Sequence, residues 1–271
     1  MNARAGDVLM VADYPFPGRA DPAPDPHLAR VFGMAQRVAP GLCGEQDPAA
    51  LPGAIALGTA PDNGALAALT RHWAQGYPEA GPHYLALRCW GLAIWQPVYL
   101  LVLAAHLDTH VPRLAGLAQP VAGGFPRGFR LPPHAPIHGD LAARMGHAAD
   151  ELRAFCRDMR AALAPLVALH TRAADALQAE CVLGALLLAH RHAPERFPGT
   201  LEATSEQWLA RLGIAGGCGM FVYRARDGTP AHALDRQVCC HYFRRRDGEK
   251  CSTCPKLPIA TRIALLQADP R

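Results

Sequence analysis

Apolar residues recur at helical spacing over most of this chain. Alanine and leucine dominate these stretches, and both residues favour helix. Asp140 is expected to cap the longest predicted helix, and Pro165 is expected to break it, because proline removes a backbone donor. The pattern predicts helices at about residues 63–76, 84–111, 140–192, 204–213 and 257–268.

Shorter segments mix apolar residues with glycine and proline. Residues 118–139 predict a bent strand or hairpin, and residues 219–226 predict a second strand that is followed by a turn. Residues 1–30 are expected to wrap over the surface, and residues 31–60 are expected to form short, broken helices.

These elements together predict an α+β fold that is predominantly helical. It has a small antiparallel sheet and a C-terminal cysteine-rich segment. The expected division is a mostly helical body at residues 1–215 and a cysteine-rich segment at residues 216–271.

One stretch is long and apolar enough to suggest a membrane span, which needs about 20 such residues. Residues 84–107 nevertheless include Arg88, Gln96, Pro97 and His106. We therefore predict a buried core helix and no membrane span, while peripheral membrane association stays open. The N-terminus has no continuous apolar run and no small-residue cleavage site, so we expect no signal peptide and a cytoplasmic location.

The composition fits a globular protein. Half of the 271 residues are hydrophobic, 18% are charged, and the net charge is +4. A chain of this size can bury a sizeable core. The mild positive charge would attract anions but is weaker than that of a typical nucleic-acid binder. We therefore expect no nucleic-acid partner. We also expect a monomer.

The nine cysteines fall into two groups. Five are scattered, often in apolar surroundings, which is typical of reduced thiols in a cytosolic protein. These five are Cys43, Cys89, Cys156, Cys181 and Cys218. The other four lie within sixteen residues, and they are Cys239, Cys240, Cys251 and Cys254.

Four clustered thiolates suit tetrahedral zinc or an iron–sulfur cluster. Neighbouring side chains diverge in helices and strands, so Cys239 and Cys240 could share one centre only where the backbone turns irregularly. Arginines surround the four thiols and would stabilise the extra negative charge of a reduced cluster. The spacing alone leaves three alternatives: an iron–sulfur cluster, a structural zinc site, or buried thiols and a disulfide.

The pattern R-x-x-C-C-x10-C-x2-C-P, from Arg236 to Pro255, resembles the C-terminal motif of the FhuF-type ferric-siderophore reductases. The resemblance implies that residues 216–271 hold a [2Fe–2S] cluster on the four clustered cysteines and that residues 1–215 bind the siderophore. It also implies one-electron reduction of a cytoplasmic ferric siderophore, with a hydroxamate type as the guess and an unidentified electron donor. Iron would then leave as Fe(II), which the oxygen ligands of siderophores bind weakly.

Three consecutive arginines, Arg244, Arg245 and Arg246, lie between the two cysteine pairs. They are predicted to contact the ferric complex or the electron donor. Two other functions stay open at this point. One is a zinc-stabilised binding module for nucleic acid or protein, and the other is a protein that binds siderophores without redox chemistry.

Two further motifs resemble functional sites, but both are expected to have structural roles. His106 and His110 in HLDTH have a spacing that could hold a metal, but they are expected to be capping or hydrogen-bonded residues at a helix end. The stretch IHGDLAARM imitates a phosphotransferase loop, and there Asp140 is expected to be a helix cap only.

The four tryptophans are expected in the core, with one or two at a pocket.

Overall fold

The computed structural model describes residues 23–47, 53–57 and 64–268. The fold of this part of the chain is predominantly helical, as predicted. Its helices are α1 Pro26–Val38, α2 Gly64–Gly76, α3 Gly81–Leu107, α4 Leu141–Leu163, α5 Thr171–His192, α6 Leu201–Leu212 and α7 Ile259–Ala268.

The predicted break at Pro165 is confirmed, because α4 and α5 are separate helices on either side of it. The predicted cap is also confirmed, since Asp140 Oδ1 accepts the N–H of Ala143 over 2.8 Å. Helix α3 ends earlier than predicted. The carboxylate of Asp108 accepts the N–H groups of Thr109 and His110 over 2.7 and 2.9 Å. This local side-chain turn competes with further helix.

The predictions for the N-terminal region were partly wrong. A single helix, α1, starts at Pro26, and Asp25 caps it by accepting the N–H groups of His27 and Leu28. Two short strands, β1 Gly44–Gln46 and β2 Ala54–Ala56, replace the expected broken helices. Both strands pair with segments far along the chain, which local periodicity does not reveal. Residues 1–22 lie outside the described residues.

The remaining strands are β3 His110–Val111, β4 Ala118–Ala122, β5 Phe125–Pro126, β6 Phe129–Leu131, β7 Ile137–His138, β8 Cys218–Arg224 and β9 Pro230–Arg236. The main sheet has the order β1-β6-β4-β2, and β5 pairs with β4. Strands β1 and β6 are parallel, so this sheet is mixed, and the expected antiparallel pairing is found in the rest of it and in two smaller sheets. Two antiparallel pairs, β3–β7 and β8–β9, accompany it.

Helix α3 forms the centre of the core and packs against α1, α2, α4 and α5. It is apolar on nearly every side, as expected for a helix that is surrounded by others. Two segments have the length and composition of a membrane span, Pro78–Leu107 and Thr171–His192. In the first, 83% of the apolar window is buried inside the fold, which confirms the predicted core helix.

The tryptophans largely follow the expectation of core packing. Trp73, Trp90 and Trp208 are buried, whereas Trp95 is partly exposed. Trp208 Nε1 donates to His106 Nε2 over 2.9 Å, so His106 has the predicted hydrogen-bonded role. Burial, assisted by Arg144, lowers the pKa of His106 to about 4. The imidazole is therefore neutral at physiological pH.

Candidate functional site

The β8–β9 hairpin connects the helical body to the four clustered cysteines. Its turn contains Gly228 with φ +82°, and Asp227 Oδ1 accepts the N–H of Thr229 over 2.9 Å. Both strands pack against α5. Strand β9 ends at Arg236, three residues before Cys239. Residues 237–257, called the cysteine segment below, therefore start from a fixed edge of the body.

The adjacent pair, Cys239 and Cys240, is followed by an irregular turn. His241 has φ +60° and is the only non-glycine residue in the described part of the chain with positive φ. Such a conformation is uncommon and is held by its surroundings. The His241 N–H points to Cys239 Sγ at 3.4 Å. The irregular backbone that two neighbouring thiols need in order to share one centre is present.

A tight turn carries the second pair of cysteines. The N–H of Cys254 donates to the carbonyl of Cys251 over 3.0 Å, and Leu257 N–H donates to the carbonyl of Cys254 over 3.0 Å. Gly248 lets the preceding loop fold closely, since a Cβ there would lie 2.1 Å from the Tyr242 carbonyl oxygen. The loop between the two cysteine pairs is thus folded back on itself.

The four thiols influence one another electrostatically. Burial raises the pKa of Cys239; the His241 N–H opposes this shift, and the thiols of Cys254 and Cys240 add to it. Burial likewise raises the pKa of Cys251, where Arg236 opposes the shift and Cys240 and Cys254 add to it. Thiolates at such positions repel each other, and a cationic inorganic centre would relieve that repulsion.

This donor set fits a [2Fe–2S] cluster, which takes four thiolates divided between two irons. Across the described residues, no group of three or more His, Cys, Asp or Glu side chains is arranged to hold a metal ion. A zinc site would take the same four thiolates around one ion, so the donor set is common to both centres. The assignment of Cys239, Cys240, Cys251 and Cys254 as cluster ligands stays a prediction.

Arg236 lies between the cysteine segment and a half-buried carboxylate. Its Nη1 donates to Cys251 Sγ over 3.1 Å, and its Nη2 lies 2.7 Å from Glu180 Oε1 on α5. Burial acts against the charge of Arg236, but Glu180 and the thiolates of Cys240 and Cys251 raise its pKa overall. The guanidinium therefore stays charged beside the sulfurs.

The three consecutive arginines have different surroundings. Arg245 is almost fully buried, donates to Tyr77 Oη over 2.6 Å and pairs with Asp247. Arg246 donates to the Gly76 carbonyl over 2.6 Å. The exposed Arg244 lies beside Gly81. Arg245 and Arg246 thus attach the cysteine segment to α2 and the turn after it. A substrate contact by any of the three stays a prediction.

A cavity of about 510 Å³ opens beside Cys240. Helices α3 and α5 form two of its walls, and β5 and the cysteine segment form the others. Its polar lining includes Arg88, Glu180 and Arg236, while most of the surface is apolar or aromatic. This volume is typical of small-molecule sites. The cavity brings the helical body and one predicted cluster ligand, Cys240, into one site.

Sequence reasoning missed Arg88, Glu180 and Tyr84 as site residues. Arg88 and Glu180 are isolated charges within largely apolar helices, α3 and α5. An isolated charge in such a stretch requires a partner or a function, because a buried charge without either is costly. This signal was available for both charged residues, whereas nothing in the sequence distinguished Tyr84.

The five scattered cysteines are free thiols. Cys89, Cys156 and Cys218 are buried, and burial raises their pKa values to about 11, 12 and 12. These three fit the expected inert thiols of a core. Cys43 is exposed, so the expectation of apolar surroundings does not hold for that residue.

Comparison with known families matches residues 236–256 to the FhuF 2Fe-2S C-terminal domain. The matched stretch contains Arg236 and all four clustered cysteines, so the resemblance is confirmed for this segment. A domain of this kind implies a [2Fe–2S] cluster and a relationship to the FhuF siderophore reductases. Residues 1–235 lie outside the match.

Proposed function

We propose that this protein is a ferric-siderophore reductase of the cytoplasm. It would bind a ferric complex at the junction of the helical body and the cysteine segment. The Fe(III) of that complex gains one electron and leaves its oxygen ligands as Fe(II). A reduced electron-transfer protein, itself oxidised by one electron, would supply each electron.

The observation that carries the proposal is the cysteine segment. It combines a match to a [2Fe–2S] domain with four mutually interacting thiols and a charged donor to one of them. When bound, a [2Fe–2S] cluster supplies single electrons. Zinc has no redox chemistry, so the zinc-stabilised module would leave this function without a basis.

The residues of the chain have three roles in this proposal. The four cysteines would hold the cluster. Arg236 places positive charge and a hydrogen-bond donor against Cys251, which favours the more negative reduced state. Arg245 fixes the cysteine segment on Tyr77, so that the proposed ligands keep a constant position next to the cavity.

The decisive experiment is anaerobic purification followed by a visible spectrum and by iron and acid-labile sulfide counts. We expect a coloured protein with two irons and two sulfides per chain. After reduction with dithionite and its removal, a ferric trihydroxamate should reoxidise the protein while a Fe(II) chelator reports released iron. A colourless protein with zinc would support the binding-module alternative. A cluster that never becomes reduced would support siderophore binding without redox chemistry.

A further inference from the structure

The cavity beside Cys240 contains a half-buried cation, Arg88, which no carboxylate of the described residues neutralises. The guanidinium carbon of Arg88 lies 4.1 Å from the ring centroid of Trp73 and 5.4 Å from that of Phe125. Within the described residues, none of the ion pairs includes Arg88, and its buried Nε has no hydrogen-bond partner. Aromatic faces compensate a buried cation only in part.

Burial lowers the pKa of Arg88, and the neighbouring charge of Arg245 acts in the same direction. The fold therefore holds two guanidinium groups near each other at this end of the cavity. Arg245 has Asp247 as a counter-ion, whereas Arg88 has none. A ligand with a hydrogen-bond acceptor would supply the partner that Arg88 lacks within the fold.

A second polar group with a free donor lies one helical turn before Arg88. The hydroxyl of Tyr84 is buried, and the guanidinium of Arg245, which can only donate, acts on its oxygen and opposes the rise in its pKa that burial causes. The O–H of Tyr84 therefore has no acceptor among the described residues. Tyr84 is 2% exposed and lines the same cavity. Residues four positions apart share a helix face, so Tyr84 and Arg88 present their donors to one place.

The opposite wall of the cavity contains Cys240, together with the ion pair of Arg236 and Glu180. A ligand that contacts Arg88 and fills the cavity would therefore also contact a proposed cluster ligand. We propose that this cavity is the binding site for the ferric complex, and that Arg88 and Tyr84 donate hydrogen bonds to an oxygen of that complex. This proposal rests on the proposed reductase function.

The lining also defines the chemical class of the ligand. Glu180 offsets the charge of Arg236, which leaves Arg88 as the only uncompensated charge among the residues that line the cavity. The remaining wall is mainly apolar and aromatic, with Trp95, Phe125 and Leu177. Such a site takes an oxygen chelate of iron with an organic scaffold and a net charge near zero. A triply negative complex would bind less well, because one cation cannot balance its charge and a bound cluster would add a negative charge beside it.

The gallium(III) complex of a trihydroxamate chelator tests the site without redox chemistry, because Ga(III) has the charge of Fe(III) but is not reduced under these conditions. Its dissociation constant is measured by calorimetry on the intact, cluster-bearing protein. Arg88→Met should raise Kd roughly tenfold or more, since a charged hydrogen bond is lost. Arg71→Met makes the same charge change on the exposed face of α2 and should leave Kd unchanged.

A steric pair of variants makes the test independent of charge. Gly91 lines the cavity, and a Cβ there would meet Leu177 Cδ2 at 3.4 Å, an ordinary contact. Gly91→Ala should therefore bind nearly as the unmodified protein does, whereas Gly91→Met should fill the cavity and weaken binding at least as much as Arg88→Met. If Arg88→Met misfolds by circular dichroism, the Gly91 pair decides the question.

Several results would overturn the proposal. They are an absence of gallium-complex binding by the unmodified protein, equal binding by the Gly91→Met variant, or equal affinity for a triply negative gallium tris-catecholate. The proposed function fails separately. If the variants weaken gallium-complex binding as expected but the reduced protein does not reduce the bound ferric complex, the site stands and the reductase function is wrong.

Discussion

Arg236 donates a hydrogen bond from Nη1 to the Sγ of Cys251 over 3.1 Å, from the last position of β9. The other end of the same guanidinium pairs with Glu180. The positive charge beside the sulfur is thus partly offset by a carboxylate on α5. The strength of that offset should set the reduction potential of the site, because nearby charge stabilises or destabilises the added electron.

The first prediction concerns Glu180→Gln. This change keeps the size of the side chain and removes the negative charge, so Arg236 acts on the thiolates without compensation. We expect the reduction potential to rise by tens of millivolts, measured by an anaerobic redox titration of the visible spectrum. Glu206→Gln, on the exposed face of α6, is the control and should not change the potential. An unchanged or lower potential in Glu180→Gln would contradict the electrostatic role.

The second prediction tests the ligand assignment. Cys251→Ser replaces a soft thiolate with a hydroxyl that iron–sulfur clusters bind poorly, so visible absorbance, sulfide content and reductase activity should fall together. Cys43→Ser is the matched control, because Cys43 is an exposed thiol in the loop before β1. Activity that survives the loss of the cluster would disprove the mechanism.

The sequence predicted the α3 core helix, the break at Pro165 and the Asp140 cap, because each depends on local chemistry. It also predicted the cysteine segment, since the spacing of the four cysteines is local as well. Strand β1 could not be predicted, because it pairs with β6, more than eighty residues later.

The residues that line the cavity were beyond local reasoning for the same reason. It exists only because α3, α5 and the cysteine segment meet in space. The sequence argument placed substrate contacts on the three consecutive arginines, since charge density is visible in a sequence. A single unpaired cation such as Arg88 becomes conspicuous only when the positions of all possible counter-ions are known.

The third prediction separates a structural role of Arg245 from a substrate role. Its guanidinium carbon lies 3.9 Å from the ring centroid of Tyr77, and its Nη2 donates to the hydroxyl of that tyrosine. Arg245→Lys keeps the charge but loses the planar fork that makes both contacts. We expect the cluster to lose its iron to an external chelator severalfold faster, because the cysteine segment is held less firmly. The KM for the ferric complex should be unchanged.

Arg244→Lys is the control for that experiment. Arg244 is exposed, and the same substitution there should leave the rate of iron loss from the cluster unchanged. If Arg245→Lys raises the KM for the ferric complex but the cluster loses iron at the normal rate, Arg245 contacts the substrate and does not hold the cysteine segment.

The last prediction concerns His106, whose Nε2 accepts a hydrogen bond from Trp208 in the core. Burial lowers its pKa from 6.5 to about 4, so the unfolded chain binds a proton at a higher pH than the folded chain does. The stability from neutral His106 is therefore complete above pH 6.5 and is lost as the pH falls towards 4. Between pH 7 and pH 5 the free energy of unfolding should fall by roughly 2 kcal/mol on this account.

Urea unfolding at the two pH values measures this loss. His106→Gln keeps an acceptor for Trp208 but does not titrate, so its loss of stability between pH 7 and pH 5 should be smaller than that of the unmodified protein by about the same 2 kcal/mol. His170→Gln, at an exposed position just before α5, should behave as the unmodified protein does. If His106→Gln and the unmodified protein lose equal stability, the imidazole does not titrate on unfolding, and its burial does not determine the acid sensitivity of the fold.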